Sequence, residues 1–243
     1  MIRYYFALTN FCNRSCELCS CHSNPSKTTN LSMNQFIEII QQNPNQEYEA
    51  QLEGGEPTIH PNFQEMVQYI INDPLCKKVI LCTNAVTMPI VLKNGEVLEE
   101  ESIHQMMYWL SQFKNKIFIL KPSINSHLIK HSKLHLKKMK IIQKAFEKIN
   151  FLKGSQLIYN VRRIPKPLTK DGEDWIIQDL KNLEIYHLCN DFEYQRYGLA
   201  KNETDLKLPY IVENPITFFL IAPDGKNFGM DLIARADYME TMK

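Results

Sequence analysis

Apolar positions along the chain fall into two alternating rhythms, short and nearly continuous runs, and longer stretches with apolar residues every three or four positions. The first kind reads as buried strand and the second as amphipathic helix. Residues 3–9 form the first run, rich in aromatic and apolar types. Ser32 then suits a helix cap with Gln35 three residues on, and Phe36, Ile37, Ile39 and Ile40 make the apolar stripe behind it. A second strand over 49–52 stops abruptly at Glu53-Gly54-Gly55-Glu56-Pro57. Pro61 opens a helix bearing Phe63, Met66, Val67, Tyr69, Ile70 and Ile71, and residues 78–82 are a third strand closed by Thr83-Asn84. Residues 99–113 place Ile103, Met106, Met107 and Leu110 on one helical face; 117–120 follow as a strand, 134–152 as a helix and 157–161 as a fifth strand. Trp175, Ile176, Ile177, Leu180 and Leu183 predict a helix that leads to a sixth strand over 185–188. Beyond it, residues 216–222 and 227–232 flank Pro223-Asp224-Gly225-Lys226 as the two arms of a hairpin.

Strand and helix thus alternate about six times before a β-rich ending, which predicts an α/β fold with a parallel sheet. At roughly 30 to 35 residues per unit, six units use about 200 residues, fewer than the eight units of a full barrel need. With no internal repeat or low-complexity linker, residues 1–243 are expected to form a single domain, a core over about 1–190 and a C-terminal extension over about 191–243. The formal net charge of +1 argues against bulk nucleic acid or an anionic membrane as partner. No signal peptide and no long apolar span are recognisable, so a cytoplasmic protein is expected. Seven cysteines, mostly scattered outside one cluster, do not read as a disulfide framework.

That cluster is Cys12-Asn13-Arg14-Ser15-Cys16-Glu17-Leu18-Cys19, on the loop that leaves the first strand. Such loops carry the chemistry of α/β sheets. Three thiols in one loop fit poorly with structural zinc, which takes four protein ligands in separated pairs. They fit an iron-sulfur cluster with one iron left open to a ligand. Zinc completed by Cys21 or His22 is the bland alternative, and it leaves Gly54 to Pro57 unexplained.

Cys12-xxx-Cys16-xx-Cys19 after the first strand, followed by Gly54-Gly55-Glu56-Pro57 after the second, resembles the radical S-adenosylmethionine (radical SAM) superfamily. The resemblance implies a partial (β/α)6 TIM-like barrel, a [4Fe-4S] cluster on Cys12, Cys16 and Cys19, and S-adenosylmethionine (SAM) bound to the open iron. It further implies that Gly54, Gly55, Glu56 and Pro57 hold the cofactor's amino group, that Leu18 takes the position of an aromatic residue lying against adenine, and that Ser123 lies near the ribose. Asn84 and Asn160 are candidates for other polar contacts. Cys189, placed after the sixth strand, is a candidate hydrogen donor to a product radical. Reductive cleavage of SAM would yield a 5′-deoxyadenosyl radical that abstracts hydrogen from a peptide or protein residue, with a nucleotide or other small metabolite as the alternative substrate and a non-catalytic iron-sulfur or zinc module as the alternative function. A reduced flavodoxin or ferredoxin-type protein is the expected electron donor.

Other features have plainer readings. Cys21 reads as an incidental thiol, Cys82 as a small core residue and Cys76 as part of a connection. The basic run from Lys130 to Lys148 reads first as a solvated helix face and second as a surface for phosphates, an acidic leader peptide or an acidic electron donor. Arg162, Arg163, Tyr194, Arg196 and Tyr197 fall where the late loops would meet substrate.

Overall fold

The aromatic run at the start of the chain becomes an interior strand of a parallel sheet, flanked on both sides by other strands. A computed structural model describes residues 1–164, 172–185, 189–193, 198–202 and 217–243, with only the backbone described for 189–193. In chain order its elements begin with β1 (Ile2–Thr9), α1 (Met33–Gln41), β2 (Tyr48–Gly54), α2 (Phe63–Asn72), β3 (Cys76–Thr83), β4 (Leu92–Lys93), β5 (Glu96–Val97) and α3 (Glu99–Ser111). They continue with β6 (Ile117–Ile124), α4 (Ser126–His131), α5 (His135–Lys148), β7 (Gln156–Leu157), β8 (Tyr159–Arg163), α6 (Trp175–Asn182), β9 (Cys189–Glu193), β10 (Thr217–Ile221) and α7 (Leu232–Thr241). Parallel strands alternate with helices as expected of the α/β class and of a partial (β/α)6 barrel. The chain divides into two compact units, one of residues Met1–Thr83 with Glu193–Lys243 and one of Asn84–Phe192.

In the first unit β1 pairs in parallel with β2 on one side and with β10 on the other, and β2 pairs in parallel with β3. Strand alternation gives this sheet two unlike faces. On one, Tyr4, Phe6, Tyr48, Ala50, Leu52, Val79 and Leu81 are buried. Phe6 packs on Phe36 of α1 (ring centroids 4.6 Å) and Phe36 on Tyr69 of α2 (6.2 Å), so this face holds the helical layer. Helix α1 starts as expected: the Ser32 hydroxyl accepts the Gln35 N–H at 3.2 Å and the Gln35 side chain accepts the Ser32 N–H at 3.1 Å. The opposite face carries Arg3, Glu49 and Lys78 in register, with Glu49 bonded to Arg3 at 2.5 Å and to Lys78 at 2.6 Å.

The C-terminal extension departs from the expected hairpin in its second arm. β10 turns through Gly225, and Leu220 and Phe228–Gly229 exchange backbone hydrogen bonds (2.8 and 2.9 Å). The return arm ends there, because Gly229 is left-handed (φ +56°) and Asp231 caps α7 by accepting the Ala234 N–H at 2.9 Å. Residues from 232 onward are therefore helix, and β10 serves as an edge strand of the parallel sheet rather than as half of a free hairpin.

In the second unit β6 pairs in parallel with both β7 and β8, so the single strand expected over 157–161 is split at Ile158. Helix α3 and helix α5 pack together beside a stacked pair, Phe113 on Phe118 at 3.7 Å. The Tyr159 hydroxyl, buried, donates to the Met139 carbonyl at 2.7 Å. β4 and β5 form an antiparallel ribbon absent from the sequence reading, although Asn94-Gly95 between them, both at positive φ, is a strong hairpin signal. The sixth strand starts at Cys189, so this residue opens β9 instead of following it.

Candidate metal and cofactor site

The loop from β1 to α1 carries the cysteines, and it is irregular but closely stitched. Asn10, fully buried, donates from its amide to the Lys243 carbonyl (3.0 Å) and accepts the Thr29 N–H (2.9 Å), while its own N–H bonds the Thr29 carbonyl (3.1 Å). Cys12 is buried and its N–H donates to the Asn24 carbonyl at 3.2 Å; the Cys19 N–H donates to the Cys16 carbonyl at 3.2 Å, which turns the loop between the second and third thiols. A short helical turn, Gly198–Ala200, closes on the same loop through the Leu199 N–H and the Cys19 carbonyl (2.8 Å). Gly198 sits so close that a Cβ there would lie 2.5 Å from that carbonyl oxygen.

The glycine-rich turn after β2 is bound to this loop directly. The Gly55 N–H donates to the Thr9 carbonyl (2.7 Å) and the Glu56 N–H to the Phe11 carbonyl (3.0 Å). A Cβ on Gly55 would stand 2.0 Å from the Phe11 oxygen, and one on Gly54, which also needs φ +117°, 2.5 Å from the Thr9 oxygen. The glycines are thus required by the protein's own backbone, and the turn fixes the stretch that leads into Cys12. Glu56 is buried, and one carboxylate oxygen accepts the Thr58 N–H (3.2 Å), the Thr58 hydroxyl (2.5 Å) and the Thr83 hydroxyl at the end of β3 (2.6 Å). Pro57 begins the short helical turn Pro57–Ile59 that follows.

Burial pushes the Cys12 thiol up to about 12, a hydrogen bond from the Arg14 backbone works against this, and Glu56, Cys19 and Cys16 add to the rise. Cys21 is likewise pushed up to about 12, by burial first and then by Cys19. Among the described residues no three His, Cys, Asp or Glu side chains already converge as a metal-binding set. The donor chemistry nevertheless fits a cationic iron-sulfur group: Cys12, Cys16 and Cys19 share one loop, and the other two oppose the ionisation of Cys12, which bound iron would relieve. A groove of about 550 Å³ runs beside Cys16, lined by Ser15, Glu17, Ser23, Asn24 and Leu199. Leu18 is half-buried on the same loop.

Asn84, Ser123 and Asn160 belong to the second unit. Ser123, near the end of β6, and Asn160, near the start of β8, are direct partners, so they share one face of the adjacent strands. Asn84 is buried and its side-chain oxygen accepts the Val86 N–H at 2.9 Å. The side chain of Cys189, and Tyr194, Arg196 and Tyr197, lie outside the described residues. Arg163 is paired with Asp174, Cys76 is buried at the start of β3, and Cys82 is half-exposed instead of core. Sequence reasoning missed Asn10, Thr83 and Gly198, whose roles depend on partners far along the chain.

Residues 6–107 match the sequence model of the radical SAM superfamily. The chain is also 30% identical over 115 residues to the antilisterial bacteriocin subtilosin biosynthesis protein AlbA of Bacillus subtilis (strain 168), a match covering 47% of this chain and 22% of that protein. The chain therefore spans only about a fifth of the length of this curated relative.

Proposed function

We propose, from the premise that the chain carries a radical SAM superfamily domain over residues 6–107, that it is an enzyme in which Cys12, Cys16 and Cys19 hold one [4Fe-4S] cluster and Gly54 to Pro57 hold SAM. When bound, the cluster and SAM supply a 5′-deoxyadenosyl radical that removes a hydrogen atom from the substrate. The observation that carries this reading is the bond of Gly55 and Glu56 to the Thr9 and Phe11 carbonyls, which makes the cysteine loop and the glycine turn one unit. Leu18 packs against the adenine, Ser123 lies near the ribose, and Asn84 and Asn160 make other polar contacts to the cofactor. Cys189 donates hydrogen to a product radical, and residues 1–243 act as one domain.

The substrate is a peptide or protein residue. Similarity to a protein named for bacteriocin biosynthesis supports this class. The basic helix lends less to a nucleotide than its sequence suggests, because Lys140, Lys144 and Lys148 are paired with Glu184, Glu99 and Glu100. A flavodoxin or ferredoxin-type protein supplies the electron, and the protein works in the cytoplasm; no helix among the described residues is long and apolar enough to cross a membrane.

Anaerobic reconstitution with iron and sulfide, followed by dithionite and SAM, is expected to release 5′-deoxyadenosine. No cleavage by a fully formed cluster would leave only a binding module. In Cys16→Ala, cluster assembly and cleavage are expected to disappear together; full turnover in that variant overturns the ligand set.

A further inference from the structure

The second face of the β1–β2–β3 sheet is unusual for a buried parallel sheet, which is ordinarily apolar on both sides. Along β2 it carries Glu49, Gln51 and Glu53 in succession, the last of them immediately before Gly54. Glu49 is satisfied by Arg3 and Lys78. Glu53 is satisfied too: one oxygen takes Arg235 of α7 at 2.7 Å and the other accepts the Gln51 amide at 2.6 Å. Gln51 is different. It is only 5% exposed, its amide is used on Glu53, and its carbonyl oxygen has no hydrogen-bond partner. Buried side-chain oxygens are nearly always paired, so an orphan held in place by a two-residue support calls for a ligand.

The surroundings select the kind of ligand. Glu53 and Arg235 cancel each other's charge beside Gln51, and Arg3 and Lys78 are both engaged by Glu49 one pair along, so the free oxygen is a neutral acceptor flanked by charges that are already paired. An ammonium would meet Arg235 and a carboxylate would meet Glu53 and the orphan oxygen itself. A neutral N–H suits it. Tyr5 is the direct partner of Gln51 on β1, and its hydroxyl accepts from Arg3 at 3.3 Å, which leaves its own proton to donate. An amide group carries both an N–H for Gln51 and a carbonyl for Tyr5.

We propose that Gln51, held by Glu53 and Arg235 and flanked by Tyr5, is a substrate subsite that takes a neutral amide group of a peptide. The assignment rests on the peptide reading above and makes it specific. Its position just before the glycine turn holds a peptide amide beside the residues assigned to SAM.

The test uses the reconstituted full chain labelled with 15N in glutamine side chains, titrated with N-methylacetamide, methylammonium chloride and sodium acetate as probes. N-methylacetamide is expected to shift the Gln51 side-chain resonance saturably. Gln51→Met, close in volume but without the acceptor, is expected to bind the probe about tenfold more weakly, as judged from the remaining glutamine signals, and to melt close to the parent, since it loses one bond to Glu53 but also an unpaired oxygen. Tyr5→Phe is expected to weaken the same titration. Equal shifts from methylammonium or acetate, no saturable shift at all because water alone occupies the site, or a lower melting point with unchanged probe binding would each overturn the subsite. Release of 5′-deoxyadenosine without peptide is measured in the same samples: its absence strikes the radical SAM reading, whereas cleavage with a failed titration strikes the subsite alone.

Discussion

The cysteine loop between β1 and α1 and the lysine-rich helix α5 are the two densest concentrations of reactive or charged side chains in the sequence, and they are built in opposite ways. On α5 the charges are satisfied at the surface by groups of other elements: Lys144 pairs with Glu99, Lys148 with Glu100 and Lys140 with Glu184, and Lys138 reaches the Val86 carbonyl. Surface pairs of this kind contribute about 0–1 kcal/mol each. The loop has almost no regular structure, yet Asn10, His22 and Ser23 are buried, and Asn10 is bonded to a segment as distant as Lys243. Density of exposed charge therefore marks a face, whereas buried polar groups bonded to other segments mark a site.

The largest effect expected from that contrast belongs to Gly55→Ala. The new Cβ collides with the Phe11 oxygen, so the loop or the turn must move. We expect a loss of about 3–5 kcal/mol in denaturant unfolding, with almost no iron taken up on reconstitution; normal iron content in a stable variant would break the comparison. Asn10→Ala comes next. It removes two buried side-chain bonds and leaves the Thr29 N–H unpaired, for a cost of about 2–4 kcal/mol, and the same unfolding experiment is expected to come with faster proteolysis of the loop. Lys144→Ala is the smallest, a change within about 1 kcal/mol and an unaltered rate of 5′-deoxyadenosine release. A large loss of cleavage there would move the functional centre toward α5.

Much of this was legible in the order of residues. Six alternations of apolar run and amphipathic stretch are local patterns, and local patterns survive folding; so did the Ser32–Gln35 cap and the cysteine and glycine motifs. What escaped was long-range. Nothing near Asn10 indicates that its partners are Thr29 and Lys243, and nothing near Glu56 indicates Thr83. The return arm of the hairpin expected at the end stops short for a related reason: the alternation through 227–232 is weak, and a left-handed Gly229 with a capping Asp231 turns the rest into a helix start. The β4–β5 ribbon was readable from Asn94-Gly95 but is only two residues per strand. The lysines of α5 invited a reading as a ligand surface because the acids that neutralise them lie on α3 and after α6.

The hydrogen bonds from Gly55 and Glu56 to the Thr9 and Phe11 carbonyls run between main-chain atoms alone. It follows that the seam between the two motifs is indifferent to side-chain identity except where a side chain is forbidden, at Gly54 and Gly55. Drift in the sequence of either segment leaves the seam closed as long as those two positions stay bare.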